Sequence, residues 1–510
     1  MVTVAPENVT WVNTVLRRHT PLMLSFAISG QSREQIAKHT RLPIEFAYMR
    51  RSGIAFQFSQ EEMARARDVI HQQVSEFGLE FFDDFSKRCQ AACQTLLRTA
   101  EGIGSQPLPK SGKGPAIERL LRPYFEAAVA QASLLLTLIL VQFEFESYLE
   151  EFVASRISEE DRRAQVVGAL KVALEPTHEV GNLGDLLELG QFVQSQVPTY
   201  REWITADTAG LVVRIATEQP AIWDRIHDYA KRYGWMGRMY FAGSPISAAD
   251  VVLRLQTVLQ NDCAEKLANV AIRREEQLAE RQRAIETLDD SKAKLLADVL
   301  ASYMHLRSER LDVFFIAHEH VLDVLGVAAR TLGLRRTDDI LYLDWREISN
   351  ALRDGADAED LQTKAIARRD GFEFIAISGA TEWIAPPVDA HDHPVVQASK
   401  AETDILTGVT ACGGHIQGMA RLVLSDQHML DMVAGEILVT TMTTPSLMLA
   451  VEKAAGIVTD EGGMLCHAAI VSREFNIPCV IGTNEATQRI RTGDTIDLAA
   501  DEGKVQVVVA

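Results

Sequence analysis

TDEGGMLCHAAIVSREFNIPCVIG, residues 459–482, holds the residues on which the reading of this chain turns. A buried strand is expected to end at Asp460. Gly462 and Gly463 then mark a tight turn, and a helix is predicted to open around Leu465, with His467 in its first turn. Glycines let a bulky anion approach the backbone closely. The unpaired N–H groups of a helix start form an oxyanion site. The positive helix end also favours a neutral, nucleophilic imidazole. A histidine so placed suits acceptance of a phosphoryl group. On these residues alone, a histidine that merely caps the helix is the competing reading.

Outward from this stretch, short strands alternate with short helices from Leu406 to the end. QGMARLVLS, EILVTTM, GIVTD, PCVIG, DTIDL and KVQVVV read as strands, and SLMLAVEKA, LCHAAIVSREF and NEATQRI as helices. That is an α/β unit of about 105 residues, enough to fold alone. Before it, ISGATEWIAPPVDAHDHPVVQASKAETD carries three prolines and small polar residues and reads as a linker. His391 and His393 within it read as solvated histidines rather than metal ligands.

The earlier residues are dominated by helical periodicity. Ser59 and Glu62 fit a capping box ahead of EEMARARDVIHQQVSEFGLEFFDDF. EGIGSQPLPKSGKGP, residues 101–115, reads as a loop; it fails the phosphate-loop spacing because Pro107 stands where a glycine is needed. A long helical stretch is predicted from Asp262 to about Leu332. The expected organisation is therefore multidomain: a mainly α-helical domain over 1–375, a flexible linker over 376–405, and a C-terminal α/β domain over 406–510.

Composition narrows the functions. With 51 Lys and Arg against 70 Asp and Glu, the net charge is −19. Such a surface repels phosphate backbones and anionic lipid, so nucleic-acid and membrane binding are not expected. The apolar run Ala132 to Val141 is about half a bilayer span and reads as a buried helix. Six cysteines without a CxxC pair suit a reduced, cytoplasmic setting. Cys89 and Cys93 lie one helical turn apart but lack further ligands, so no metal site is expected.

The pattern GG-x-x-x-HAAI-x-x-RE-x-x-IP-x-VxG, matched from Gly462 to Gly482, resembles the phosphohistidine, or swivelling, domain of enzymes related to phosphoenolpyruvate (PEP) synthase and pyruvate phosphate dikinase. GVTACGGHIQGMARLV and ILVTTMTTPSLMLAVEKAAGIVTDEGG resemble the same domain. The resemblance implies that His467 is the covalent phosphoryl carrier and that Gly462, Gly463 and Cys466 border the phosphoryl group. Dikinases have a regulatory threonine two residues before the histidine; Leu465 stands there, so that control is not expected.

RSERLDVFF followed by GLRRTDDILYLDWREISNAL is similar to the substrate domain of rifampicin phosphotransferases. HTPLMLSF, from His19 to Phe26, faintly resembles the start of that domain. On one helical face, Tyr303, Arg307, Arg310 and Phe314 follow by i+3 and i+4 steps. Arginines interrupting an apolar stripe are costly unless paired. One reading makes Arg307 and Arg310 phosphoryl-binding groups beside a substrate pocket lined by Tyr303 and Phe314; the other pairs them with carboxylates such as Glu309 or Asp312.

Nothing in the sequence resembles the ATP-grasp domain of those relatives. The expected function is thus one subunit of a split, dikinase-like phosphotransferase. ATP and Mg2+ would bind a separate ATP-grasp partner, which charges His467, leaving AMP and phosphate if the family stoichiometry holds. The phosphoryl group would then pass to a small hydroxyl acceptor. The arrangement resembles two-component phenylphosphate synthases, which implies an acceptor such as phenol or p-cresol. Two alternatives stay open: a component of an antibiotic-phosphorylating enzyme, and a non-catalytic phosphocarrier or regulatory protein.

Overall fold

The fold was analysed on a computed structural model, which describes residues 9, 11–16, 20–52, 55–241, 243–377, 380–384, 405–424, 431–443, 447–460 and 467–508. The chain divides into two compact units. The first comprises 1–177, 238–244 and 272–393; the second comprises 178–237, 245–271 and 394–510.

In the first unit, the 41-residue helix Gly114–Ala154 is the spine. It is long and apolar enough to cross a membrane by length and composition, yet 72% of its apolar window is buried inside the protein. Helices Leu79–Gly104 and Ala293–Thr331 pack against it and each other. Phe82 and Phe145 stack with centroids 4.3 Å apart, and Tyr303 lies 5.2 Å from Phe145. The helix Pro21–Gly30 opens on an N-cap threonine, Thr20, with proline at the first helical position. It crosses the spine so closely that a Cβ on Gly30 would lie 2.6 Å from the Ser133 amide nitrogen. The Trp345 backbone and indole N–H groups donate to the Ser25 and Ser29 hydroxyls at 3.1 and 2.9 Å.

The expected capping box does not form. Ser59 precedes the Gln60–Phe77 helix but makes no side-chain cap bond. The buried Glu62 carboxylate instead accepts from the Ala47 and Tyr48 amides, each at 3.1 Å. Tertiary donors thus take the carboxylate that the local cap would have used. The long helical stretch is also two helices, Cys263–Leu288 and Ala293–Thr331, broken where Asp289 takes φ 44° and Asp290 accepts from the Lys292 amide at 2.7 Å.

The first unit also holds a five-stranded antiparallel sheet, ordered β1-β3-β2-β4-β5. Its strands are β1 (Trp11–Leu16), β2 (Tyr48–Ser52), β3 (Ala55–Ser59), β4 (Glu373–Ile377) and β5 (Ala380–Ile384). Residues 376–377 and 380–384, expected in a flexible linker, thus lie in a sheet. EFIAI alternates between half-buried and buried positions, and Trp383 sits 5.7 Å from Phe374. That apolar alternation outweighs the small and polar residues around it.

In the second unit, helices between His178 and Val258 pack on one another through buried Leu186, Trp203, Ile215, Ile226 and Val252. They group with the C-terminal α/β residues rather than with the helical spine. Lys266 forms an ion pair with Glu452 in this unit. The helical region over 1–375, expected as one domain, is therefore shared between two compact units.

The α/β part is an eight-stranded mixed sheet, ordered β6-β13-β12-β8-β9-β10-β11-β7. Its strands are β6 (Ile405–Thr407), β7 (Val409–Cys412), β8 (His415–Leu422), β9 (Ile437–Thr440), β10 (Gly456–Thr459), β11 (Cys479–Ile481), β12 (Thr495–Ala499) and β13 (Lys504–Val507). β8, β9, β10 and β11 run parallel, and antiparallel strands complete both sides. β9, β10 and β11 are buried at every residue, as parallel strands covered on both faces must be. Ala420, Ile437, Val439, Val458, Val480, Ile496, Leu498 and Val505 form the core.

Candidate functional site

β10 is a central parallel strand, flanked by β9 and β11, and its carboxyl end delivers Asp460. Ligands in such sheets bind beyond the carboxyl ends of the strands, where loops and helix starts converge. A helix spans His467–Phe475, so His467 is its first residue. Gly462, Gly463 and Cys466 lie outside the described residues, as does Leu465.

The sequence HAAIVSREF forms this helix because small residues face the sheet. Ala468, Ala469, Val471 and Ser472 are 0–1% exposed. Arg473 Nε donates to the Ala411 carbonyl of β7 at 2.9 Å, tying the far end down. Asn476, at φ 51°, ends the helix, and the Ile477 amide donates back to the Ser472 carbonyl at 2.8 Å. The result is a firmly packed helix whose first-turn N–H groups are free of intrahelical partners.

Asp460 is anchored just beyond the end of β10. Its carboxylate accepts from the Thr487 amide at 2.9 Å and from the Thr487 hydroxyl, and its carbonyl accepts from the Asn484 amide at 2.9 Å. Thr483 ties the same strand end by donating its hydroxyl to the Thr459 carbonyl at 3.0 Å. Sequence reading passed over Asp460 because nothing local signals a bond to a residue 27 positions on. Asp460→Ala strands two donors at a buried position and should cost about 1–3 kcal/mol in urea unfolding. Asp460→Asn, which keeps one acceptor oxygen, should restore part of that loss.

In the first unit, the predicted acceptor residues all lie on the Ala293–Thr331 helix. Tyr303 is fully buried, and its hydroxyl donates to the Phe82 carbonyl at 3.0 Å. Phe314 is likewise 1% exposed. Both were expected to line a pocket; the structure packs them as core, because Phe82 and Phe145 close over the Tyr303 ring. Arg310 is 6% exposed, its guanidinium turned back to donate to the Arg307 carbonyl. Its own carbonyl accepts from Gln131 Nε2 at 2.6 Å. Neither Arg307 nor Arg310 is a free cation: each has a partner within the protein. Cys89 and Cys93 are core residues at 1% exposure, and burial raises the Cys93 thiol to about 12. Among the described residues no cluster of three or more His, Cys, Asp and Glu side chains suits a metal. His19, His391 and His393 lie outside the described residues.

His318 lies on the same helix. It is 1% exposed, whereas His320 points to solvent. Burial, with the Arg238 charge adding to it, lowers the His318 imidazole from 6.5 to about 3. The unfolded chain then binds a proton below pH 6.5 that the folded chain refuses until about pH 3. Stability is therefore expected to fall as pH drops through that window. His318→Phe should flatten this dependence in urea midpoints compared at acidic and neutral pH; an unchanged slope would contradict it.

Residues 432–503 match the family described as PEP-utilising enzyme, mobile domain. A phosphoenolpyruvate synthase of Pyrococcus furiosus is 49% identical over 142 residues, which is 28% of this chain and 17% of that protein. A probable phosphoenolpyruvate synthase of Archaeoglobus fulgidus is 45% identical over 101 residues, 20% of this chain and 13% of its own length. A rifampicin phosphotransferase of Streptomyces sviceus is 29% identical over 200 residues, 38% of this chain and 22% of the relative. The chain thus spans less than a quarter of the length of each of these relatives. Its segment from β10 through the His467–Phe475 helix to β11 lies wholly inside the matched family region. Over residues 432–503 the chain is thus similar to the mobile domain of the PEP-utilising enzymes.

Proposed function

We propose that this chain is the phosphoryl-carrying and acceptor-binding component of a split, ATP-dependent phosphotransferase of dikinase type. The observation that carries this reading is His467, first residue of a packed helix beyond a central parallel strand, inside the region matched to the mobile domain. In this reading a separate ATP-grasp partner binds ATP and Mg2+ and phosphorylates His467. First-turn N–H groups of the helix hold the phosphoryl oxygens. A small hydroxyl compound then takes the phosphoryl group, with phenol or p-cresol as the first candidates. An antibiotic acceptor is the variant suggested by the rifampicin phosphotransferase relative.

One observation favours a second reading, a phosphocarrier whose helical residues bind a protein. Tyr303, expected to border a pocket, is packed core with a satisfied hydroxyl. Charging the chain with phosphoramidate, a small-molecule histidine phosphodonor, separates the two without the partner. The charged chain is chased with phenol, p-cresol and rifampicin. An enzyme component passes label to at least one of them faster than to water; a carrier passes it to none.

A further inference from the structure

The core of the first unit contains a buried imidazole that meets no hydrogen-bond partner among the described residues. His318 is 1% exposed, and both its ring nitrogens are buried. A phenylalanine or leucine would fill that space without leaving two polar atoms dry, and an unpaired buried polar atom is costly. Histidine is therefore the wrong residue for packing alone.

What covers it is equally specific. The Phe241 ring stacks face to face on the imidazole, with centroids 3.7 Å apart and planes 10° from parallel. Phe315 meets the Phe241 ring edge-on at 6.4 Å, and all three side chains are 1–2% exposed. Phe241 reaches this position from a backbone at φ 62°, a left-handed conformation that bulky side chains rarely adopt. It belongs to residues 238–244, a short segment of the first unit bounded on both sides by chain of the second. Arg238 pins that segment by pairing with Glu319 at 3.1 Å. A strained residue thus holds an aromatic ring against an imidazole whose hydrogen-bonding capacity is unused.

We propose that His318 is the polar contact of a buried site for a hydroxylated aromatic compound, whose ring takes the stacking position that Phe241 fills. The proposal rests on the acceptor reading above and moves the acceptor site from Tyr303 to His318. A phenol combines the shape of the Phe241 ring with the hydroxyl donor that the imidazole lacks. Phe315 offers the new ring the same edge contact. Because burial keeps the imidazole neutral, one ring nitrogen accepts the hydroxyl hydrogen bond, and discrimination comes from that bond rather than from charge.

Calorimetric titration of the full chain with p-cresol, phenol and toluene tests this. Toluene has the ring without the hydroxyl. Wild type is expected to prefer p-cresol over toluene, and His318→Leu to lose that preference, a change of about 10- to 100-fold. Phe241→Ala removes the competing ring and should tighten p-cresol binding. Phosphoramidate labelling is run on each variant as a check on the carrier. Equal p-cresol binding by wild type and His318→Leu overturns the site while leaving the carrier intact, and so does a chain, Phe241→Ala included, that binds no phenol. Failure of the wild type to take label at all overturns the carrier reading instead. Thermal unfolding of Phe241→Ala gives a second safeguard: a variant that stays folded yet binds no tighter contradicts ring exchange.

Discussion

Replacing His467 with alanine should abolish phosphoryl transfer through this chain, the largest effect expected of any substitution. The reason is covalent: without the imidazole there is no N–P bond to form. The helix should survive, since alanine is the best helix former and the packing comes from Ala468, Ala469, Val471 and Ser472. Unfolding midpoints should therefore stay close to wild type while label uptake disappears. His467→Asn, which keeps a polar side chain, should be equally dead. Label uptake by either variant at the wild-type rate would remove His467 from the mechanism.

The next largest effect is expected at Arg310. Its guanidinium is buried beside Arg307 and committed to partners in the first unit. If it also meets the transferring phosphoryl group, Arg310→Ala removes a preorganised cation from a transition state whose charge spreads over the equatorial oxygens. Discharge of phospho-His467 to the acceptor should slow by about 100- to 1,000-fold while charging proceeds normally. Lysine restores charge without the planar fork and should give an intermediate rate. Truncating a buried, partnered arginine also costs stability. Unfolding must therefore be measured beside the single-turnover chase. A variant that is destabilised yet discharges at the wild-type rate assigns Arg310 to structure alone.

The α/β part was largely legible in the sequence. Runs such as EILVTTM and GIVTD read as strands, and each appears within its expected bounds as β9 or β10. β6 and β7 escaped notice because they are three and four residues long and carry no apolar alternation of note. The strand pair β4–β5 escaped for a different reason. Its partner, β2, lies more than 300 residues earlier, and composition near the prolines suggested a linker.

At the site, the helix start near His467 was legible because a helix start is a local feature. Asp460 and His318 were not legible. Asp460 matters through Thr487, and His318 through a ring contributed by Phe241, and both partners are distant in sequence. The face drawn through Tyr303 and Phe314 was read correctly as apolar. What periodicity could not tell is that such a face is filled by Phe82 and Phe145 rather than by a ligand.

The most direct test of the central claim is to charge the purified full chain with phosphoramidate and map the phosphoryl group by peptide mass spectrometry under alkaline conditions. The expected result is a single modification at His467, stable in alkali and lost in acid. A modification that survives acid, or one that maps to another residue while His467 stays bare, would contradict the account.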